Sequence, residues 1–427
     1  MCASRKVRGL AMRDERLAPL QVAALLVSAS YGIGFLFGSG ELAVSYGMAG
    51  CLYPWLTAIG MLLLALLAGR VWRLGMPLWD VFGRCYGPAV KRYVALLSMI
   101  WMTGVLAAQI QGAATTLSLT SVSHPLSLPI VLTLIVIAAH LRLGLASKVF
   151  SLCLLASSVV LLVAVIDLRG LDTYLHALPR FAADLPRVGS AQVATMTIAV
   201  VFLVVTGADY QQFIIAASNR ADARLGCALA AVALMIVGAL PAAAVLAAMN
   251  AGLVAHTVNA KEAIPLVLAH MSDRLGHGAG AAMLLTLLAA ALGSGAAIVR
   301  AMTDAVLALS AAPRAHARLR VSIALVLLGG VVATRGQAIV ETMVDLNIVY
   351  IASIAPLFAY QLLKIDVPAL AAQRSLLAGF AVSSALYATK WTGFVSGHVE
   401  MTFLGAGILA SVLALEIHRV REPGRAS

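Results

Sequence analysis

Charged residues are scarce in this chain of 427 residues: Asp, Glu, Lys and Arg make up 11% of it, whereas hydrophobic residues make up 62%. A soluble globular domain is about one quarter charged and about one half apolar. The composition therefore excludes an ordinary soluble domain and indicates an integral membrane protein made of apolar helices.

Cysteine is also scarce, and the five cysteines are scattered along the chain without a CxxC pair. The nine histidines show no spacing typical of metal ligands. Neither a disulfide framework nor a metal cluster is indicated. No Ser/His/Asp arrangement and no HExxH motif is present, so we predict that the protein is not an enzyme.

The apolar runs can be compared with the ~20 residues that a helix needs to cross a bilayer. They predict twelve membrane spans near residues 20–46, 50–70, 93–119, 127–141, 147–166, 190–217, 224–249, 278–310, 318–333, 338–362, 374–390 and 399–418.

The net charge of +12 is explained by its placement and does not predict a nucleic-acid partner. Most Lys and Arg residues fall in the two tails and in the loops after even-numbered spans, which is the pattern of cytoplasmic loops. We therefore predict a multi-pass protein of a bacterial-type inner membrane with both termini cytoplasmic. Residues 1–18 form the basic cytoplasmic tail.

The first span contains an unusual stretch, residues 30–41, which is rich in glycine and carries Glu41. Glycine weakens a helix, and a charge at bilayer depth is costly. Backbone at that depth can unwind only where it is buried in protein or lines a cavity. We expect helix 1 to be unwound near residues 32–38, as in transporters with discontinuous helices.

Two other readings of this stretch exist. Gly34 and Gly38 form a GxxxG pair, which can serve only to let a neighbouring helix pack closely. The spacing also resembles a dinucleotide-binding fingerprint, but the strand–turn–helix context of that motif is missing.

A second break is predicted in span 6, where Thr206, Gly207 and Asp209 place a weak helix former beside a carboxylate. Two such breaks five spans apart predict an inverted repeat. In the alternative reading, Asp209 lies nearer the inner surface and caps a helix or pairs with Arg220 or Arg224.

Several other polar residues lie within or between the predicted spans. Of Gln109 and Gln111 in span 3, at most one is expected to face a cavity, since residues two apart do not share a helix face. Arg300 and Asp304 in span 8 are four apart and are expected to pair. Glu341 and Asp345 are expected to be solvated at an outer vestibule. Residues 70–92 are expected along the inner surface, and residues 262–271 in a short helix over the vestibule.

Four stretches resemble the sodium/solute symporter family. That family has the leucine-transporter-type fold of the amino acid–polyamine–organocation superfamily. The four stretches are the glycine-rich opening helix followed by YGMAG, RLGMPLWDVFGRCYGP, GADYQQFIIAASNRADARLG and AAALGSGAAIVRAMTD. Together they extend along most of residues 20–310, and the chain reads as a divergent member.

The resemblance implies an all-α core at residues 19–363, with five plus five helices related by an inverted repeat. The repeats are expected at about residues 19–167 and 189–363, followed by two extra helices and a tail in residues 364–427. It also implies a sodium site between spans 1 and 8, with its candidate residues at Ser30, Ala290, Gly293 and Ser294.

The chain departs from the family pattern at that sodium site. The family usually has two adjacent hydroxyls in span 8, where this sequence has Gly293-Ser294, and a further serine position is Ala297. Sodium coupling is thus less firmly implied than the fold.

The sequence favours a secondary transporter for a small organic solute, such as an amino acid or related carboxylate. Half-helix amino termini would attract an anionic group, and Glu41 and Asp209 could receive an amine or a proton. The candidate substrate-binding residues are Gly34, Gly38, Ser39, Glu41, Gln109, Thr206, Gly207 and Asp209. The coupling ion is predicted to be Na+, with H+ or an uncoupled permease as the alternative. A membrane enzyme or sensor is the remote alternative.

Overall fold

The structure is a computed structural model, and it describes residues 16–119, 122–254, 260–309, 314–334, 339–395 and 399–421. Its helices are α1 (Pro19–Ser30), α2 (Ile33–Tyr46), α3 (Leu52–Leu74), α4 (Leu78–Tyr86), α5 (Pro88–Ser118), α6 (His124–Ala139), α7 (Leu143–Asp167), α8 (Leu171–Leu175), α9 (Ala177–Asp184), α10 (Ser190–Thr206), α11 (Ala208–Ile215), α12 (Arg220–Val237), α13 (Leu240–Asn250), α14 (Ala263–Leu275), α15 (His277–Leu309), α16 (Arg314–Ala333), α17 (Ile339–Leu362), α18 (Ala369–Trp391) and α19 (Glu400–Arg421).

The expected all-α membrane fold is confirmed. In the described residues, the only β-type pairing is an isolated bridge between Leu17 and Ala217. Within the part of the chain that the structure describes, eight stretches are long and apolar enough to cross a membrane, and Pro19–Ser30, Pro125–Ala139 and Leu155–Asp167 are shorter apolar helices. The count of twelve spans and the inverted repeat stay predictions.

Helix 1 is discontinuous, but the break is shorter and earlier than predicted. Helix α1 ends at Ser30 and α2 begins at Ile33, so only Tyr31 and Gly32 leave the helical path. The expectation of unwinding near 32–38 is therefore wrong in extent. Glycine permits a helix to unwind but does not require it. The glycines at 34, 38 and 40 lie within the continuous helix α2.

The second break lies where the sequence predicts it. Helix α10 ends at Thr206 and α11 begins at Ala208, and Gly207 between them is extended, with φ −64° and ψ 125°. A Cβ at Gly207 would lie 2.7 Å from the Leu203 carbonyl oxygen and 2.6 Å from Asp209 Oδ1. A side chain at residue 207 would therefore overlap these two oxygens, so the break needs glycine at this position.

The two broken helices lie inside a shell of longer ones. Helix α3 packs against α10, α11 and α12, while α15 packs against α1, α5, α6 and α7. Helix α17 contacts α5 and α10 on one side and α18 and α19 on the other. Large apolar side chains such as Leu66, Leu152 and Val331 are exposed on the outside, as expected of surfaces that meet lipid.

The predicted inner-surface segment is shorter than expected, because residues 70–74 continue α3. Gly75 is left-handed, with φ 61° and ψ 27°, and ends that helix. The following helix α4 is fixed at its start, where the Leu78 N–H donates to Gln211 Oε1 at 3.1 Å. This bond joins α4 to α11, the second half of broken helix 6.

On the other side, α14 covers the second half of helix 1. Helix α14 packs against α2 and α15, and Gly40 is the point of close approach, since a Cβ there would overlap Ile264. Arg274 pairs with Asp167 at 3.1 Å, and His270 lies 3.6 Å from the same carboxylate. The helix expected at residues 262–271 is present and is anchored to the end of α7.

The charged residues within the spans have specific partners. Asp345 was expected to be solvated, which is wrong: it is 7% exposed, and both its oxygens lie 3.3 Å from Lys390 Nζ. The Glu341 side chain lies outside the described part of the chain. Asp304 pairs with Arg318 at 2.8 Å, and Arg300 donates to the carbonyls of Ala139 and Leu141. Arg300 and Asp304, the two charged residues of predicted span 8, thus bind groups outside α15.

Candidate functional site

A narrow cavity lies where the two helix breaks meet. Its volume is about 10 Å³, which is about the room that one water molecule needs. It must therefore widen to admit an organic solute. The lining residues are Ala29, Ser30, Phe35, Tyr53, Trp101, Val105, Gln109, Leu203, Asp209, Tyr210 and Met343.

Asp209 is the charged residue of this cavity. It lies in the first turn of α11 and is 2% exposed. The amino terminus of a helix favours a negative charge. Its Oδ1 atom has no hydrogen-bond partner among the described residues. Asp209 thus presents a buried carboxylate oxygen that is available to a ligand.

The alternative in which Asp209 pairs with Arg220 or Arg224 has no support in the described contacts. No ion pair to Asp209 is found in the part of the chain that the structure describes. Arg220 lies at the start of α12, where its side chain covers Gly69 of α3.

Gln109 is the one glutamine of span 3 that lines the cavity. It is 2% exposed, and a Cβ at Gly32 would overlap its amide group. The Gln109 head group therefore lies directly against the break in helix 1. Gln111 does not line the cavity, as expected because residues two apart do not share a helix face.

Three of the predicted site residues in helix 1 do not line the cavity: Gly38, Ser39 and Glu41. The reason is the early position of the break, which leaves them within α2. The Ser39 hydroxyl donates to the Gly50 carbonyl at 2.7 Å, so it fixes the turn that follows α2. Glu41 is partly buried in the same helix.

Thr206 and Gly207 form the break behind the cavity and are not part of its lining. The Thr206 hydroxyl donates to the Phe202 carbonyl at 2.9 Å, and Thr206 and Ser98 face the Tyr350 hydroxyl. Because α10 ends at Thr206 and Gly207 follows it, these two residues determine where Asp209 and Tyr210 lie at the start of α11.

Sequence reasoning missed the aromatic residues of the cavity, Phe35, Tyr53, Trp101 and Tyr210. One signal was available in α5, where Trp101, Val105 and Gln109 follow each other at intervals of four and so share one helix face. In the other helices the aromatic residues lie within apolar runs, and nothing in the sequence separates them from ordinary core residues.

The candidate sodium residues lie next to this cavity. The Ser294 hydroxyl donates to the Ala29 carbonyl at 2.6 Å, and both groups are buried. The Ser30 hydroxyl donates to Leu26 in the preceding turn and faces the Tyr210 hydroxyl. Gly293 offers no side-chain oxygen, and the side chain of Ala290 lies outside the description.

A hydroxyl and a carbonyl oxygen from two helices therefore meet at this point. Hard oxygen donors of this kind are the ligands that alkali and alkaline-earth cations prefer. Ser294 and Ala29 are the two oxygen donors of this chemistry that the structure brings together at the predicted sodium site. No group of three or more His, Cys, Asp or Glu side chains suited to a metal occurs among the described residues.

Contacts close the cavity toward the first residues of the described chain. The Leu17 N–H donates to the Ala216 carbonyl and the Ser218 N–H donates to the Leu17 carbonyl, both at 3.0 Å. The indole of Trp72 donates to the Ala217 carbonyl at 2.9 Å. The segment before α1 is thus bound to the end of α11, so these parts of the two broken helices are held together.

Contacts also close the opposite side. The Asp184 carboxylate accepts from the Met48 N–H at 2.8 Å, which binds α9 to the turn after α2. Trp55 packs on Phe181 with their ring centroids 4.5 Å apart. Each side of the cavity thus has its own set of contacts.

Comparison with known proteins gives a fold but no family assignment. No family model matches the sequence, and no curated protein matches it either. Solved structures do match over nearly the whole chain.

The chain is similar to a Na+-coupled sialic acid symporter in a substrate-bound outward-open state, with a TM-score of 0.71 and 13% identity, over 96% of this chain and 91% of that one. It is also similar to MhsT in complex with L-phenylalanine, with a TM-score of 0.56 and 14% identity, over 95% and 99%. A third match is a nucleobase-cation-symport-1 family transporter in a closed conformation with bromovinylhydantoin bound, with a TM-score of 0.57 and 14% identity, over 96% and 94%.

These likenesses define the class of structure. The chain has the leucine-transporter-type fold, as the sequence resemblance implied. At this level of identity the likeness concerns the fold, and the activity has to be argued from the site.

Proposed function

We propose that this protein is a secondary active transporter that couples the movement of a small organic solute to Na+ across the cytoplasmic membrane. The observation that carries the proposal is the position of Asp209, a buried carboxylate in a cavity between two helix breaks. Each break belongs to a helix whose two halves are held by contacts on opposite sides. A site of this kind can be reached alternately from each side.

The cavity offers complementary groups to a solute such as an amino acid or a related carboxylate. The amino termini of α2 and α11 present positive dipole ends, which favour an anionic group. Asp209 favours a cationic group, and Gln109 can both donate and accept hydrogen bonds. We propose Gln109 and Asp209 as binding residues, with Thr206 and Gly207 as the residues that position them. Gly38, Ser39 and Glu41 have a weaker case, since they do not line the cavity, and Gly34 lies with them within α2.

Sodium is proposed as the coupling ion, held by the Ala29 carbonyl and the Ser294 hydroxyl beside Ser30, Ala290 and Gly293. A bound sodium ion would supply a positive charge that stabilises the carbonyl end of α1 at the break. The chain's own residues place that carbonyl and hydroxyl together within hydrogen-bond distance. Binding of the ion and the shape of the adjacent cavity would then be linked.

A proton-coupled permease is the second candidate, and Asp209 is the observation that favours it. A carboxylate that is 2% exposed is costly in its charged form unless a cation lies beside it. Protonation would remove that cost. The two candidates differ in which gradient drives uptake.

Several features of organisation belong to the same proposal. Two inverted repeats at about residues 19–167 and 189–363 would place the two breaks in equivalent positions. The cationic loops would lie in the cytoplasm with both termini. The partners would be a small solute and the lipid bilayer.

The test is uptake by liposomes that contain the purified full-length protein. Labelled amino acids, organic amines, carboxylates, sugars and nucleobases would be presented with an inward Na+ gradient, or with K+ in its place, at the same pH on both sides. We expect at least one solute to accumulate only with the Na+ gradient. Accumulation that ignores Na+ and follows an imposed pH gradient would favour the proton-coupled alternative. Absence of uptake for every solute, under either gradient, would contradict transport.

A further inference from the structure

Aromatic rings form a large part of the cavity wall. Phe35, Tyr53, Trp101 and Tyr210 are four of its lining residues, whereas aromatic residues make up only 6% of the chain. They come from four different helices, α2, α3, α5 and α11, so the arrangement is created by the tertiary fold. All four rings are buried.

These rings are held in place by other rings. Phe35 packs on Tyr31 with centroids 5.0 Å apart and meets Tyr53 edge to face at 5.8 Å. Trp101 packs on Tyr350 at 5.9 Å. Such pairs are favourable beyond the area they bury, so Phe35, Tyr53 and Trp101 are each stabilised by a neighbouring ring.

The charge of the cavity has one sign. Asp209 is the only carboxylate among the described lining residues, and none of those residues is Lys, Arg or His. Asp209 lines the same cavity as Tyr53, Trp101 and Tyr210, so its carboxylate lies within the aromatic wall. Its Oδ1 atom has no partner in the described chain.

A buried carboxylate surrounded by ring faces has a clear chemical complement. An unpaired buried charge is strongly unfavourable, and the faces of Trp and Tyr attract cations. A small metal cation would need several oxygen ligands, but the rest of this wall is mostly rings and aliphatic side chains. An organic ammonium group matches both the charge and the apolar surface, because its carbon substituents can contact Val105, Leu203 and Met343.

We propose that the cavity selects solutes that carry a compact ammonium group, with that group seated between the Asp209 carboxylate and the rings of Tyr53, Trp101 and Tyr210. This inference rests on the proposed transport function and specifies its substrate class. The ammonium group can be primary or methylated, and the solute can carry a carboxylate as well. A solute without a cationic nitrogen leaves Asp209 unpaired and is rejected.

Matched pairs of probes, in which a carbon atom replaces the cationic nitrogen at nearly unchanged shape, test this directly. The pairs are choline with 3,3-dimethylbutan-1-ol, glycine betaine with 3,3-dimethylbutanoate, and L-alanine with isobutyrate. Binding would be measured by thermal stabilisation of the purified full-length protein in Na+, and transport by uptake into liposomes.

We expect at least one ammonium member to bind and its carbon counterpart to bind at least about tenfold more weakly, because the carbon counterpart lacks the positive charge that pairs with the Asp209 carboxylate and is attracted by the rings. Equal binding of both members of the pair that binds would overturn the proposal. So would failure of all three ammonium probes.

Two variants locate the effect at the proposed residues. Asp209→Asn keeps the size of the side chain but removes its charge, and it should weaken binding of the ammonium probe at least about tenfold. Trp101→Leu should weaken it about two- to thirtyfold, whereas Trp101→Phe, which keeps a ring, should weaken it less. Asp172→Asn is the matched control. The Asp172 carboxylate pairs with Arg180, and both side chains are exposed. Unchanged discrimination between paired probes in both Asp209→Asn and Trp101→Leu would contradict the assignment.

The results separate this inference from the proposed function. Na+-driven uptake of a sugar, a nucleobase or a simple carboxylate, without uptake of any ammonium probe, would leave the transport function intact and overturn the substrate class. Absence of uptake for every solute tested would contradict both.

Discussion

The Ser294 hydroxyl donates a 2.6 Å hydrogen bond to the Ala29 carbonyl, which joins the middle of α15 to the last turn of α1. A carbonyl in the last turn of a helix has no partner in a following turn. The hydroxyl of Ser294 supplies that partner. These two oxygens form the structural link between the break in helix 1 and span 8.

The first prediction concerns the response to sodium. Ser294→Ala removes one of the two oxygens, so the Na+ concentration for half-maximal effect should rise about fivefold, equivalent to about 1 kcal/mol. Gly293→Ser adds a hydroxyl in the adjacent position and should lower it. The measurement is thermal stabilisation by Na+ relative to K+, which requires no solute.

Ser411→Ala is the control for these variants. The Ser411 hydroxyl is also buried and hydrogen-bonded, but its partners are in α17 and α18. Sodium stabilisation that is unchanged in Ser294→Ala, or equally reduced in Ser411→Ala, would remove the case for this site.

The second prediction concerns the two glutamines of α5. Gln109 lines the cavity and Gln111 does not. Gln109→Ala should therefore raise the solute concentration for half-maximal uptake about five- to tenfold, because it removes hydrogen bonds worth about 1 kcal/mol or somewhat more. Gln111→Ala should change it less than about twofold. A larger effect of Gln111→Ala would show that the solute contacts the other face of α5.

The glycines of helix 1 show how far the sequence can locate a break. Clustered glycine and a carboxylate correctly indicated a discontinuous helix, but they placed its break too late. The actual position depends on Gln109, whose amide occupies the space beside Gly32, and this contact comes from a helix distant in sequence. Gly40 has a different role, since it lets α14 lie against α2.

Asp209 was located more accurately because its signal is local. Gly207 and Asp209 are two residues apart, and the same two residues form the break and its carboxylate. Asp345 was misjudged because its partner is not local. Lys390 reaches it from α18, so a carboxylate near the end of a predicted span is in fact buried in an ion pair. Tertiary contacts of this kind leave no periodic pattern in the sequence.

The third prediction tests the contact between the break and α5. A Cβ at Gly32 would overlap the Gln109 amide, and that amide can move because it is the end of a flexible side chain. Gly32→Ala should therefore displace Gln109 and weaken solute affinity about as much as Gln109→Ala does. The double variant should be no worse than either single variant, since residues that share one interaction are not additive.

Gly405→Ala is the control for this cycle, because a Cβ there would meet open space. Half-saturation constants from uptake assays give the coupling. Full additivity of Gly32→Ala and Gln109→Ala would show that the two residues act independently.

The last prediction concerns the ion network that binds the final helices to the core. Lys390 of α18 lies 3.3 Å from Asp345 of α17 and 2.8 Å from Glu400 at the start of α19, and each side chain is less than one fifth exposed. Breaking a buried pair by removing one partner costs about 3–5 kcal/mol, because the other charge remains buried and unpaired. Lys390→Met leaves two such carboxylates together, so it should lower the melting temperature of the purified protein. Adding Asp345→Asn and Glu400→Gln to Lys390→Met removes both unpaired charges and should restore much of the lost stability. Lys148→Met, at an exposed position on α7, should have little effect. A triple variant no more stable than Lys390→Met alone would contradict this role of the ion pairs. The loss would then come from the contact of the Lys390 nitrogen with the Tyr387 ring, whose centroid lies 5.8 Å away.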